Sequence, residues 1–290
     1  MNPSTASFFP AVPSVRVALC AGLLFMLVGP STASSQTPGV SPAVPVLQLE
    51  TLPVPTSPAA ALAALRAAIG RGDAAGVERL AAGFGPLLVS ALNAPGSATS
   101  IAAVLRAIDT GSPQSAAAGA RIANSVATLA ATMVTGLGNA AARSAGTLAA
   151  AVSAVIVRPN VIATAPGFVG KAASVAAEIA SNADVIRANP GLVAQIASDT
   201  AVVAKNPAVL LATPAVSAAI AVSVSVIVSN PAVRVAAPEL VRSAAADATA
   251  IIRNETVTFS SPAIGFVEKN LGLTPRLSID PSLNVSPSGG

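Results

Sequence analysis

Asn206-Pro207-Ala208-Val209-Leu210-Leu211-Ala212-Thr213-Pro214 holds the same start signal twice: a capping side chain followed by proline. Twenty-four residues later the chain reads Asn230-Pro231 and then Ala237-Pro238, and 24 residues earlier it reads Asn182-Ala183 and then Asn189-Pro190. One proline series is Pro166, Pro190, Pro214, Pro238 and Pro262. A second runs seven residues ahead of it at Pro159, Pro207 and Pro231, with Ala183 and Glu255 in the remaining places. The third residue of every copy is valine: Val161, Val185, Val209, Val233 and Val257. Asparagine closes successive copies at Asn182, Asn206, Asn230 and Asn254. A fixed period of this size indicates a repeat array.

The local chemistry makes each copy helical. An asparagine oxygen accepts a bond from an orphan N–H at a helix start, and proline at the first helical position has no N–H to orphan. The residue before a proline is also pushed out of the α region, so the previous helix must stop there. Each copy therefore starts a helix twice, as at Asn206-Pro207 and Thr213-Pro214, and as at Ser261-Pro262. The first piece, 207–212, is about one and a half turns; the second, 214–229, is about 24 Å long.

Apolar spacing inside the second piece agrees. Leu192, Val193, Ile196 and Val203, and then Val216, Ile220, Val224, Ile227 and Val228, keep one helical face inward. Thr200 interrupts that face. Asp199, Lys205, Asp247 and Arg253 fall on other positions, where solvent is expected. Ala173, Ala197, Ala221 and Ala245 share one place, and small side chains there let helices approach closely. The run 222–228 is rich in β-branched residues, so a β-solenoid is the competing architecture. Alanine content and doubled helix starts favour the all-α array.

The expected organisation has five parts. Residues 1–33 read as a signal peptide: Arg16, an apolar run over 17–29, then Pro30 and the small residues Ser31, Thr32 and Ala33. Cys20 opens that run, and Leu19 stands where a lipoprotein signal wants a small residue. Residues 34–57 read as a linker carrying Pro38, Pro42, Pro45, Pro53 and Pro55. Residues 58–158 form an alanine-rich helical region. Its helices are expected near 59–69, 74–82, 86–93, 98–109, 113–134 and 139–157, and it is expected to cap the array, with degenerate copies of the repeat as the alternative. Arg66, Arg71, Asp73, Glu78 and Arg79 are expected on its solvated face. Residues 159–278 carry the repeats, with a short extended piece expected at 257–259. Residues 279–290 are Pro/Ser/Asn/Gly-rich and read as a disordered tail.

Composition excludes much chemistry. The chain has no histidine, and cleavage of the leader would remove its one cysteine. Ser-His-Asp triads, cysteine nucleophiles and His or Cys zinc sites are ruled out for the mature chain. Acids at calcium-loop spacing are absent. The mature chain would keep 15 basic and 12 acidic residues, a surplus too small and too scattered for a nucleic-acid surface. With no Trp and no Tyr there is no stacking platform either. Gly136-Leu137-Gly138-Asn139-Ala140-Ala141 has the glycine spacing of a dinucleotide loop but no βαβ context, so it reads as a helix break. Asp184 and Asp199 are the nearest thing to a carboxylate pair and read as solvated helix residues. Asn254-Glu255-Thr256 and Asn284-Val285-Ser286 match the glycosylation pattern.

No charge falls between Lys205 and Arg234, and a hydropathy window over 208–228 has the strength of a membrane span. Thr213-Pro214 interrupts it in register with charged neighbours, so it reads as the most deeply packed repeat. The expectation is an exported, non-enzymatic helical-repeat scaffold in the envelope or outside the cell, binding an unidentified protein on its repeat surface. No catalytic, cofactor or metal residue is assigned, and no cofactor is expected. A membrane-associated or pore-like helical protein is the alternative, and an enzyme with a carboxylate-only site is the third class.

Overall fold

A computed structural model describes residues 54–136, 139–257 and 261–273. The leader at 1–33, the linker up to 53, the tail at 279–290, the Asn284 sequon and residues 258–259 of the expected extended piece lie outside the described residues. Fourteen helices and no strand are present among the described residues, which sets the β-solenoid aside. The N-terminal helices are α1 (Pro58–Gly70), α2 (Ala74–Leu92), α3 (Ser97–Arg106), α4 (Pro113–Gly136) and α5 (Asn139–Ile156). Then short and long helices alternate: α6 (Pro159–Thr164), α7 (Pro166–Ser181), α8 (Ala183–Ala188), α9 (Pro190–Ala204), α10 (Pro207–Ala212), α11 (Pro214–Ser229), α12 (Pro231–Ala236) and α13 (Pro238–Ile252). Helix α14 (Ser261–Leu271) follows, and among the described residues no short helix precedes it. Where that short helix would start, Glu255 replaces proline, while Asn254 still accepts the Thr256 N–H at 2.9 Å, the bond that Asn182, Asn206 and Asn230 make at their helix starts.

The start signals act as their chemistry requires. Asn206 and Asn230 accept from the N–H groups of Ala208 and Ala232, both at 3.0 Å, ahead of proline-started helices. Asn182 does the same for Asp184 at 2.9 Å, although alanine opens that helix. Asn189 caps α9 through the Leu192 N–H at 3.1 Å. Ala165 and Ala237 hold the same place as Asn189 in their copies and give no side-chain cap. In α2 the helix carries a non-helical residue at Phe84, just before Pro86, so the two pieces expected at 74–82 and 86–93 meet across a kink.

Helices α2, α4, α7, α11 and α14 pack successively into one layer, and α3, α5, α9 and α13 into a second. Each long helix also packs on its sequence neighbour in the opposite layer: α5 on α7, α7 on α9, α9 on α11, α11 on α13. The chain thus crosses between layers at every copy. Units one copy apart face each other, and units two copies apart lie side by side. Helices α4 and α5 occupy two further places in this alternation, so the layers run back beyond the proline register.

Close contacts fix the directions. Gly119, near the start of α4, approaches Val155, near the end of α5, so these two run antiparallel. Gly146 near the start of α5 meets Val185 just before α9, and Gly170 near the start of α7 meets Val209 just before α11. Helices within a layer are therefore parallel, and the two layers oppose each other. Short helices α6 and α10 line one edge; α8 and α12 line the other.

Those two contacts explain the invariant valine. Val185 and Val209 each lie 39 residues beyond the glycine they cover. The third residue of a copy thus sits on the twelfth residue of the copy two before. The twelfth place is small at Gly146, Gly170, Ala194 and Ala218. All five third-place valines are buried. Burying each side chain fully is worth about 1.5–3 kcal/mol, so this one register carries a sizeable share of the stacking.

Candidate interaction surface

The polar bridges beyond the local turns follow the same two-copy step. In the second layer, Ser153 of α5 donates to Asp199 of α9 at 2.9 Å, and Lys205 pairs with Asp247 of α13 at 2.5 Å. In the first layer, Arg121 of α4 makes a two-pronged bond to Glu78 of α2, with its shorter arm at 2.7 Å. Asn270 of α14 reaches Ser225 of α11 at 3.3 Å. Arg158 takes the place that asparagine holds in later copies but does not cap its own helix. Its guanidinium instead donates to the carbonyls of Arg106 and Ile108, which close α3. Asn160 donates to the Thr110 carbonyl beside it.

Several expected solvent positions are therefore structural. Asp247 is buried against Lys205, and Asp199 is half-buried. Burial pushes the Asp199 carboxyl above its ordinary range, against the hydrogen bonds from Ser153 and Gln195 that pull it down. Glu78 is half-exposed, but its carboxylate is committed to Arg121. Thr200, the interruption on the apolar face, is fully buried and returns its hydroxyl to the Ile196 carbonyl at 2.7 Å. Asp184 pairs with Arg187 at 2.6 Å on the surface. It shares no partner with Asp199, which lies about 14 Å further along from the start of α9.

The glycine-spaced stretch falls at the junction of α4, which ends at Gly136, and α5, which begins at Asn139. The hydropathic window 208–228 is split at Thr213 between α10 and α11. Among the described residues, α2 is the one helix long and apolar enough by length and composition to cross a membrane. No cluster of three or more metal-ligating side chains occurs among the described residues.

What remains outward is a set of apolar side chains on the edges. Leu211 on α10 is 77% exposed and Val235 on α12 is 84% exposed. They hold the same place in successive copies, one on each edge. Phe168 at the start of α7 is 41% exposed, on the edge that carries Leu211. The Lys171 ammonium stands 6.0 Å from its ring centroid. Next to them a cavity of about 570 Å³ opens between α4, α7 and α10, lined by Ala117, Arg121, Phe168, Lys171, Ala212 and Thr213. Its lining is mostly apolar and small, with the Lys171 ammonium at hand and the Arg121 guanidinium held by Glu78. The sequence placed Leu211 on a helix but could not show its exposure, because the helix it would cover lies two copies away.

Comparison with protein-family models, with curated proteins and with solved structures finds no match to this chain.

Proposed function

We propose that the protein is an exported, non-enzymatic scaffold that holds another protein on the α6/α10 edge of its helical array. The observation that supports this reading most is Leu211, a large apolar side chain standing almost free on α10, whose end at Ala212 and Thr213 lines the same cavity as Phe168. Exposed apolar groups that sit together on a rigid edge are characteristic of interaction sites. Lys171 in the same lining favours a partner with an acidic residue flanking an apolar anchor. A photo-crosslinking residue at position 211 in the native host tests it. A discrete adduct is expected, abolished by Phe168→Asp and untouched by Glu255→Lys. No discrete adduct, or one indifferent to Phe168→Asp, contradicts the reading.

The membrane-associated alternative draws on α2, whose length and hydropathy suit a bilayer. Extraction of host membranes with alkaline carbonate separates the two. The scaffold reading expects the protein in the soluble fraction; retention in the pellet favours the alternative.

A further inference from the structure

The array changes chemical character at its C-terminal end. Arg234 stands in α12 where earlier copies bury Ile162, Ile186 and Leu210. Arg242 stands in α13 where earlier copies have Gly170, Ala194 and Ala218. Lys269 stands in α14 where four earlier copies have Ala173, Ala197, Ala221 and Ala245. A terminal unit needs a polar outer face because nothing stacks on it, and acids would serve as well as bases. Glu239 and Glu268 likewise replace Ala215 and Ala244 in these helices, but the three replacements Arg234, Arg242 and Lys269 are basic. They converge on one cleft of about 630 Å³ between α13 and the end of α14.

Among the described residues, no acidic residue lines that cleft. Glu239 nearby is held by Arg242 at 2.7 Å, and Lys205 holds Asp247. Neither Arg234 nor Lys269 is in an ion pair with a described carboxylate. The floor is apolar, from Val228, Val241 and Ala245. The start of α13 borders the same space through Pro238 and has no side-chain cap, and the Glu239 carboxylate in its first turn is turned to Arg242.

We infer that this cleft is an anion site for a phosphate group carried on an apolar body. Guanidinium groups suit phosphate oxygens through paired N–H donors, and the ammonium adds a point charge. The phosphate can come from a lipid headgroup or from a soluble phosphate compound. This assignment stands independently of the edge that carries Leu211.

Calorimetric titration of the full chain with inorganic phosphate, and sedimentation with phosphatidylglycerol or phosphatidylcholine vesicles, test it. The comparison protein is the double variant Arg234→Gln/Lys269→Gln, whose side chains are on the surface, with Lys171→Gln as a control at the other edge. Phosphate binding that weakens about tenfold or more in the double variant, and not in the control, is expected. Retention on phosphatidylglycerol vesicles that the double variant loses points to the lipid source; phosphate binding without such retention points to a soluble ligand. Absence of binding in both formats, or binding that the double variant leaves unchanged, overturns the inference.

Discussion

Asp199 shows how a single residue reports on the packing. It lies in α9, bonded to Ser153 of α5 at 2.9 Å and to Gln195 at 2.8 Å. Its carboxyl is held above its ordinary value of 3.8 by burial. The folded chain therefore keeps a proton that the unfolded chain has already released. Stability contributed by this group falls as pH rises from the ordinary carboxylate range through the folded-state value, and the loss persists above it. Denaturant midpoints measured across that window for the native chain and for Asp199→Asn are expected to diverge, with the native chain losing ground as pH rises. Parallel curves would contradict the burial. Sequence alone put Asp199 and Asp247 in solvent because the apolar periodicity of their own helices leaves them off the inward face. Their partners lie 46 and 42 residues away, beyond the reach of any local pattern.

At the scale of elements, helix boundaries were legible because their causes are local. Cap, proline and steric exclusion before proline all act within about four residues. The same logic distinguishes good starts from poor ones. Asn189 donates nothing but accepts the Leu192 N–H, whereas Ala165, in a similar backbone conformation, leaves that bond unmade. Asn189→Ala should cost about 1 kcal/mol of stability, and Ala165→Asn should return up to about 1 kcal/mol, both read from urea unfolding. Where the proline signal fades, the sequence no longer marks the array. Helix α5 lacks prolines, and its membership in the alternation shows only in what it touches: Gly146 under Val185 repeats Gly170 under Val209. The α2 kink at Phe84 was visible as two helices because Pro86 interrupts the pattern there.

For the whole molecule, a 24-residue period left the arrangement open, since one row or two opposed layers share the same sequence rhythm. The structure resolves it, and small-residue placement then becomes intelligible. Gly170 and Ala194 are small because a later copy covers them; among the described residues no copy covers Arg242 or Phe266, which are exposed, and there the rule lapses. Ala194→Arg is therefore expected to cost at least about 3 kcal/mol, because it forces a charge into a covered site. Arg242→Ala at the equivalent uncovered place should fall within about 0.5 kcal/mol of the native chain. Both are read from thermal or denaturant unfolding, and equal costs would remove the distinction between covered and terminal places. Function was less legible than architecture: composition removed histidine and cysteine chemistry, but the exposed edge and the basic cleft exist only once distant copies are side by side.

Disulfide trapping reads the two-layer arrangement directly. A Cβ built at Gly170 stands 3.5 Å from the Thr213 Cβ, within bonding geometry for paired cysteines. In a Cys20→Ser background, Gly170→Cys/Thr213→Cys is predicted to close a disulfide under mild oxidation, seen as a mobility shift and confirmed by peptide mapping. Gly170→Cys/Asn189→Cys uses the same place one copy earlier and is predicted to stay reduced. Closure of the 170–189 pair with no closure of the 170–213 pair would contradict the layered array.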